Sequence, residues 1–176
     1  NLGGPFGGND TPEYKALNPN GRVPTIVDGD FVLWESNSCS RYLAAKHGYG
    51  TMYPEDPQVR GNGERWMDWQ LTTMSPTLVP VFWGMVRTAP EDRDMDAIEK
   101  ARKELSANIA IVDRYLEKSE YISGDHFNVT DIPLGIAAYR WFAMEIERED
   151  YPNFKRWYDL LSKRKPFQEH IMNPLA

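Results

Sequence analysis

The sequence has 176 residues, 41% hydrophobic and 26% charged, with a formal net charge of −6. Such a chain is globular and long enough for one large domain or two small ones, and a pI near 5.1 excludes the concentrated basic face that nucleic acid requires. A single cysteine excludes an internal disulfide framework and fits a reducing compartment. The most apolar stretch, LVPVFWGMV at 78–86, is too short and too interrupted by proline to span a bilayer. No signal-peptide pattern opens the chain, which begins on Asn1 rather than Met, so a preceding segment is expected.

In chain order, residues 1–11 are rich in glycine and lack an apolar period, which predicts a loop. TPEYKALNPNG predicts one or two helical turns, with Thr11 as N-cap, Pro12 at the first helical position and Asn18-Pro19 as the stop. Val23–Val27 and Phe31–Trp34 are β-prone runs joined through Asp28-Gly29-Asp30, a strong hairpin signal. From Asn37 to His47 the period becomes helical, with Gly48 as its cap. GYGTMYPEDP at 48–57 holds the turn formers of a linker.

Beyond the linker only helical patterns follow. A long tract starts near Pro57, and Pro76 and Pro80 are expected to bend or break it. Ile98, Ala101, Leu105, Ile109, Val112 and Leu116 then repeat at threes and fours as one apolar stripe. Further helices are predicted over 129–147, 152–163 and 166–171. Two domains result, a small α/β piece over 1–50 and an all-helical one over 51–176. A lone hairpin with one helix is marginal, so partner strands are expected from residues before Asn1.

One detail of the hairpin points to chemistry. The second strand ends on Trp34 and sets Glu35 and Ser36 directly before a helix. A solvated strand end would look the same, and so would a pocket for a zwitterion. The rest of the chain separates the two. NPNGRVPTIVDGDFVLWES, the helix NSCSRYLAAKHG, the proline-rich linker and ISGDHFNVTDI, in this order, resemble the cytosolic glutathione transferase superfamily, in its bacterial form. The resemblance covers essentially the whole chain. It implies a thioredoxin-like domain, incomplete here because the first βα unit is absent, followed by an all-α helical bundle.

What the resemblance implies for function is specific. Glutathione is the co-substrate, and its thiolate is conjugated to a hydrophobic electrophile. Glu35 would accept from the γ-glutamyl ammonium. The Ser36 hydroxyl, with the free amides of the following helical turn, would hold the carboxylate. The Val23–Pro24 bond would be cis, leaving the Val23 backbone groups free to pair with the ligand's cysteine as a short strand. Arg22 would reach the glycine carboxylate. The second-substrate pocket would draw on Met67, Met74 and Phe82. The thiol-activating residue belongs near the family's first helix, so no catalytic residue of this chain is assigned. A glutathione-dependent disulfide or peroxide reductase, or a non-catalytic glutathione-binding member, would keep the same site. The resemblance also implies a cytoplasmic homodimer, and the mixture of Arg60, Arg65, Glu64 and Asp68 with Trp66, Met67 and Trp69 suits a subunit interface.

The remaining candidates read as structural. Cys39 lies in a first helical turn, where a thiolate would be stabilised, yet its spacing with Tyr42 and Leu43 is that of a small core residue. His47, His126 and His170 have no metal-ligand spacing. Asn128 and Asp131 match the family's capping signature at the head of a helix, with Phe127 and Ile132 as its hydrophobic staple. A competing register puts Thr130 at the cap and Pro133 in the first turn.

Overall fold

The structure is a computed structural model and describes residues 3–175. The chain divides into two compact units, Asn1–Glu55 and Asp56–Ala176. The linker between them is closed on itself: the Gly50 amide donates to the Tyr53 carbonyl at 2.9 Å, and the Tyr53 amide to the Gly48 carbonyl at 3.0 Å.

In the first unit, helix α1 (Pro12–Leu17) begins where the Thr11 hydroxyl accepts the Tyr14 amide at 3.3 Å. Strands β1 (Thr25–Asp28) and β2 (Phe31–Trp34) pair antiparallel with Asp28 opposite Phe31. The connecting loop is therefore Gly29-Asp30, one residue shorter than expected. Asp28 is drawn into the strand because its carboxylate accepts the Tyr42 hydroxyl and the Lys46 ammonium from helix α2 (Ser36–His47). Gly29 holds φ +60°, which the first central position of a type II′ hairpin requires and side chains resist. Helix α2 starts one residue earlier than its sequence period suggests, at Ser36, with Glu35 in the cap position. Among the described residues, the buried apolar side chains of this unit are Tyr14, Cys39 and Ala44.

The second unit is helical. Helices α3 (Pro57–Trp69) and α4 (Ser75–Phe82) run on through a widened turn at Gln70–Met74 and end in another at Trp83–Arg87. The tract widens at these points instead of breaking. The Ser75 amide reaches five residues back to the Gln70 carbonyl, and such a turn lets a helix absorb the rungs that Pro76 and Pro80 cannot supply. Helix α5 (Met95–Leu116) buries the whole predicted stripe, Ile98 through Leu116. Gly63 lets α3 close on its neighbours, since a Cβ there would meet Thr130 Cγ2 at 2.6 Å and Ser123 Cβ at 2.9 Å.

Helix α6 (Asp131–Ala143) is opened by a reciprocal cap. The Asn128 carboxamide oxygen accepts the Thr130 amide at 3.0 Å, and Asp131 accepts the Asn128 amide at 3.0 Å. The side-chain capping is thus by Asn128, although the hydrogen-bonded helix begins at Asp131, and Thr130 makes no capping bond of its own. Phe127 stacks edge-on with Tyr121 at 6.3 Å and lies 3.7 Å under the Arg164 guanidinium. The helix stops at Ala143, short of the predicted 147, where Arg148 takes the carbonyls of Trp141 and Met144 at 3.2 and 2.7 Å.

Helices α7 (Pro152–Ser162) and α8 (Lys165–His170) complete the bundle. The first turn of α7 is held from another helix: Asp113 of α5 accepts the Phe154 amide at 2.8 Å. Buried Arg102 forks to Glu99 and Glu149 and so ties the segment before α7 to α5. Glu99 is held down at about 2 by the Arg102 guanidinium. Of the aromatic side chains of 66–69, Trp66 is buried and Trp69 partly buried. Trp66 is buried against Trp69 at 5.3 Å and Tyr115 at 4.7 Å.

Candidate functional site

The first unit carries a polar cavity of about 240 Å³ lined by Asn18, Asn20, Arg22, Val23, Pro24, Glu35 and Ser36. All five residues assigned to ligand binding from the sequence, Arg22, Val23, Pro24, Glu35 and Ser36, meet in it. They come from the loop before β1 and the junction of β2 with α2, which the hairpin brings side by side through the pairing of Thr25 with Trp34. The Val23–Pro24 peptide bond is cis, as expected.

Two residues that the sequence did not single out hold this loop. The Tyr14 hydroxyl donates to the Arg22 carbonyl at 2.8 Å, and Asn18 Nδ2 donates to the same carbonyl at 2.7 Å. Tyr14 and Asn18 also reach Thr25 Oγ1, at 2.8 and 3.2 Å, so the segment is clamped on both sides of the cis bond. Asn18 Oδ1 in turn accepts the Asn20 amide at 3.1 Å. Both clamp residues are buried. The available signal was weak: Asn18-Pro19 reads as a helix stop, and nothing local says that the asparagine turns inward.

Glu35 is the one non-glycine described residue with positive φ, at 74° and ψ 117°. Such a conformation costs on the order of 1–3 kcal/mol and persists where the surroundings fix it. Here its carbonyl accepts the Cys39 amide at 2.8 Å and starts α2, while its side chain makes no capping bond. The carboxylate is therefore released from helix capping and stands exposed at the cavity. Ser36 occupies the first helical position and also lines the cavity. The first-turn amides of a helix have no intrahelical acceptor and carry the positive end of its dipole, so this corner offers an acceptor and an anion site together.

Cys39 is buried, its thiol donates to the Leu33 carbonyl at 3.6 Å, and burial pushes its pKa up. That is the setting of a core residue, not of a nucleophile. Of the three residues assigned to a second-substrate pocket, Met67 and Met74 are fully buried and present no face to a ligand. Met74 is part of the continuous apolar core of the helical unit. Phe82 lines a cavity of the helical unit, together with Ile136, Tyr139 and Arg140. Among the described residues no group of three His, Cys, Asp or Glu side chains is arranged to hold a metal ion. Among the described residues, no helix is long and apolar enough to cross a membrane.

Cavity and fold together define a thioredoxin-like unit with a cis-proline pocket, followed in the chain by a helical bundle. Two family models match the chain, the N-terminal domain of glutathione S-transferase over residues 5–46 and its C-terminal domain over 95–160. Glutathione S-transferase GstB of Escherichia coli K12 is 39% identical over 173 residues, covering 97% of this chain and 83% of that protein. Glutathione S-transferase D7 of Drosophila melanogaster is 28% identical over 93% of this chain and 72% of its own length. The solved theta class glutathione S-transferase of the citrus canker pathogen Xanthomonas axonopodis pv. citri, with glutathione bound, superposes with a TM-score of 0.95. It is 46% identical, and the match covers 99% of this chain and 84% of that one. The chain belongs to the glutathione S-transferase family.

Proposed function

We propose that the cavity of the first unit binds glutathione for transfer to an electrophile. In this reading Val23 offers its backbone amide and carbonyl to the cysteine of the tripeptide, and Glu35 accepts from the γ-glutamyl ammonium. Ser36 and the first-turn amides of α2 take the adjoining carboxylate, and Arg22 faces the glycine carboxylate. The observation that carries the reading is the clamped cis Val23–Pro24 loop lying in one cavity with Glu35 and Ser36. The Xanthomonas relative, solved with glutathione bound, supports the same ligand.

The chemistry is a substitution or addition at an electrophilic carbon. The thiol gives up its proton, the thiolate sulfur forms the new carbon–sulfur bond, and a leaving group, where there is one, departs with the bonding pair. No residue of the cavity is assigned to activate the thiol. The protein works as a two-fold dimer in the cytoplasm, a reading supported by the family's architecture and by a buried, unpaired Cys39. Light scattering at micromolar concentration tests the dimer: a mass near one chain, unchanged on concentration, removes it.

Calorimetric titration with glutathione tests the site. Glu35→Gln and Ser36→Ala are each expected to weaken binding by about 1–3 kcal/mol, the usual loss of a charge-assisted bond. Unchanged affinity in both folded variants would assign the cavity to another ligand.

A further inference from the structure

The chain contains two Asn-Gly pairs, Asn20-Gly21 and Asn62-Gly63. This pair is the peptide sequence most prone to lose ammonia, because glycine has no side chain to shield its amide from the preceding carboxamide. The fold sets the two pairs apart. Gly63 lies beyond the first turn of α3, so its amide is committed to a helical bond. It is also buried, and Asn62 Nδ2 donates to the Tyr115 hydroxyl at 2.8 Å. Bringing the Gly63 nitrogen onto the Asn62 side chain would require part of α3 to unwind.

Asn20, in contrast, is exposed and lines the polar cavity of the first unit. The Gly21 amide is held by a turn bond to the Asn18 carbonyl at 3.0 Å. Opening that bond frees the nitrogen, at a cost far below that of unwinding a packed helix. No shielding residue can replace this glycine without strain. Gly21 holds φ +60°, and a Cβ on it would meet the Asn9 carbonyl oxygen at 3.0 Å. Asn20 is also linked to the clamp on the cis loop. Its amide and its Nδ2 both donate to Asn18 Oδ1 at 3.1 Å, and Asn18 Nδ2 holds the Arg22 carbonyl at 2.7 Å.

We propose that Asn20 is a modification site: it deamidates spontaneously in the folded chain, and the product loosens the pocket proposed to hold glutathione. The second half rests on that glutathione reading. The Gly21 nitrogen attacks the Asn20 carboxamide carbon, its proton passes through solvent to Nδ2, and ammonia leaves as a succinimide closes. Water then opens the ring at either carbonyl, leaving aspartate or isoaspartate. A carboxylate cannot donate, so the aspartate repels Asn18 Oδ1 where Nδ2 had bonded to it. Asn18, once displaced, loses its hold on the Arg22 carbonyl. Isoaspartate instead adds a methylene to the main chain before Gly21 and shifts Arg22 and Val23. Either product sets a negative charge in the cavity, where a ligand with two carboxylates is repelled.

The test is a peptide map by mass spectrometry of the whole chain, sampled during incubation at mildly alkaline pH, with a urea-unfolded sample alongside. The Asn20 peptide of the folded chain should gain one mass unit and split into two products, while the Asn62 peptide stays unchanged. Asn20→Gln should abolish the gain, since its longer side chain closes a ring far more slowly. Calorimetric titration then compares fresh with aged chain. The aged chain and Asn20→Asp should each bind glutathione about tenfold more weakly, the loss of a charge-assisted bond. No gain at Asn20 while the unfolded sample converts, or an equal gain at Asn62, would overturn the site. Full affinity in the converted chain, or in an Asn20→Asp variant that a thermal melt shows to be folded, would overturn the effect on the pocket. A fresh, unaltered chain that fails to bind glutathione overturns the glutathione reading instead, and the peptide map still decides the modification.

Discussion

The two units solve the same problem, holding a chain segment in place, by different means. In the helical unit apolar burial does most of it: Trp141, Trp157, Phe154 and Leu134 are each at most 1% exposed within one continuous core. The first unit buries few apolar side chains, and Val27 and Phe31 of its hairpin stay about half exposed. There the loop of the candidate site is held by directed bonds from Tyr14 and Asn18 onto one carbonyl. Apolar burial is non-directional and tolerates sliding, whereas a hydrogen bond fixes an atom to within a few tenths of an ångström. A pocket that must recognise backbone and charge is better served by the second device.

The largest expected effect lies where the helical unit abandons its own rule. Asp131, fully buried, accepts the Ile122 amide at 2.9 Å, the Asn128 amide at 3.0 Å and the Trp157 indole at 2.9 Å. Asp131→Ala strands three buried donors and should cost about 3–5 kcal/mol in urea unfolding. Burial pushes the Asp131 pKa up to about 6 from an ordinary 3.8, against the pull of those donors. The folded state then holds its proton more tightly than the unfolded state. This group's contribution to stability is full below about pH 4, falls as pH rises towards 6 and levels off above. Asp131→Asn should flatten that part of the profile. A profile matching the unaltered chain would place the slope on other groups.

Next comes Gly63. A methyl group there collides with Thr130, whose hydroxyl is tied to Asn128 Oδ1 at 2.8 Å and so cannot swing aside. Gly63→Ala should lose about 1–2 kcal/mol in unfolding measurements, despite the better helix propensity of alanine. A gain in stability would mean that the α3 contact is looser than these distances imply.

In the first unit the corresponding change should read in binding. Tyr14→Phe removes one of two donors from the Arg22 carbonyl while keeping the ring in place, and should weaken glutathione by about 0.5–1.5 kcal/mol. Stability should change little, since Asn18 still holds the carbonyl. If affinity stays the same and stability drops, Tyr14 belongs to the small core and not to the pocket.

The smallest effect is expected at the Asp28–Lys46 pair beyond the hairpin. Lys46 holds the Asp28 pKa down and Asp28 holds that of Lys46 up, yet both side chains are well exposed and screened. Lys46→Met should leave the unfolding midpoint within error, and a clear loss would show the pair setting the hairpin register.

By itself the sequence determined the element order, the α5 stripe, the hairpin and the Asn128–Asp131 cap, because each rests on contacts within a few residues. Through family resemblance it also named Arg22, Val23, Pro24, Glu35 and Ser36, which the fold brings into one cavity. Tertiary structure decided the rest. Tyr14 and Asn18 turn inward only because β1 lies against α1, and Asp113 caps α7 from 41 residues away. Met74 joined the continuous apolar core, and Trp66 packed against Tyr115 of another helix. Periodicity shows that a side chain leaves one face of a helix. Which neighbour awaits it depends on packing between segments far apart in the chain, and no local pattern encodes that distance.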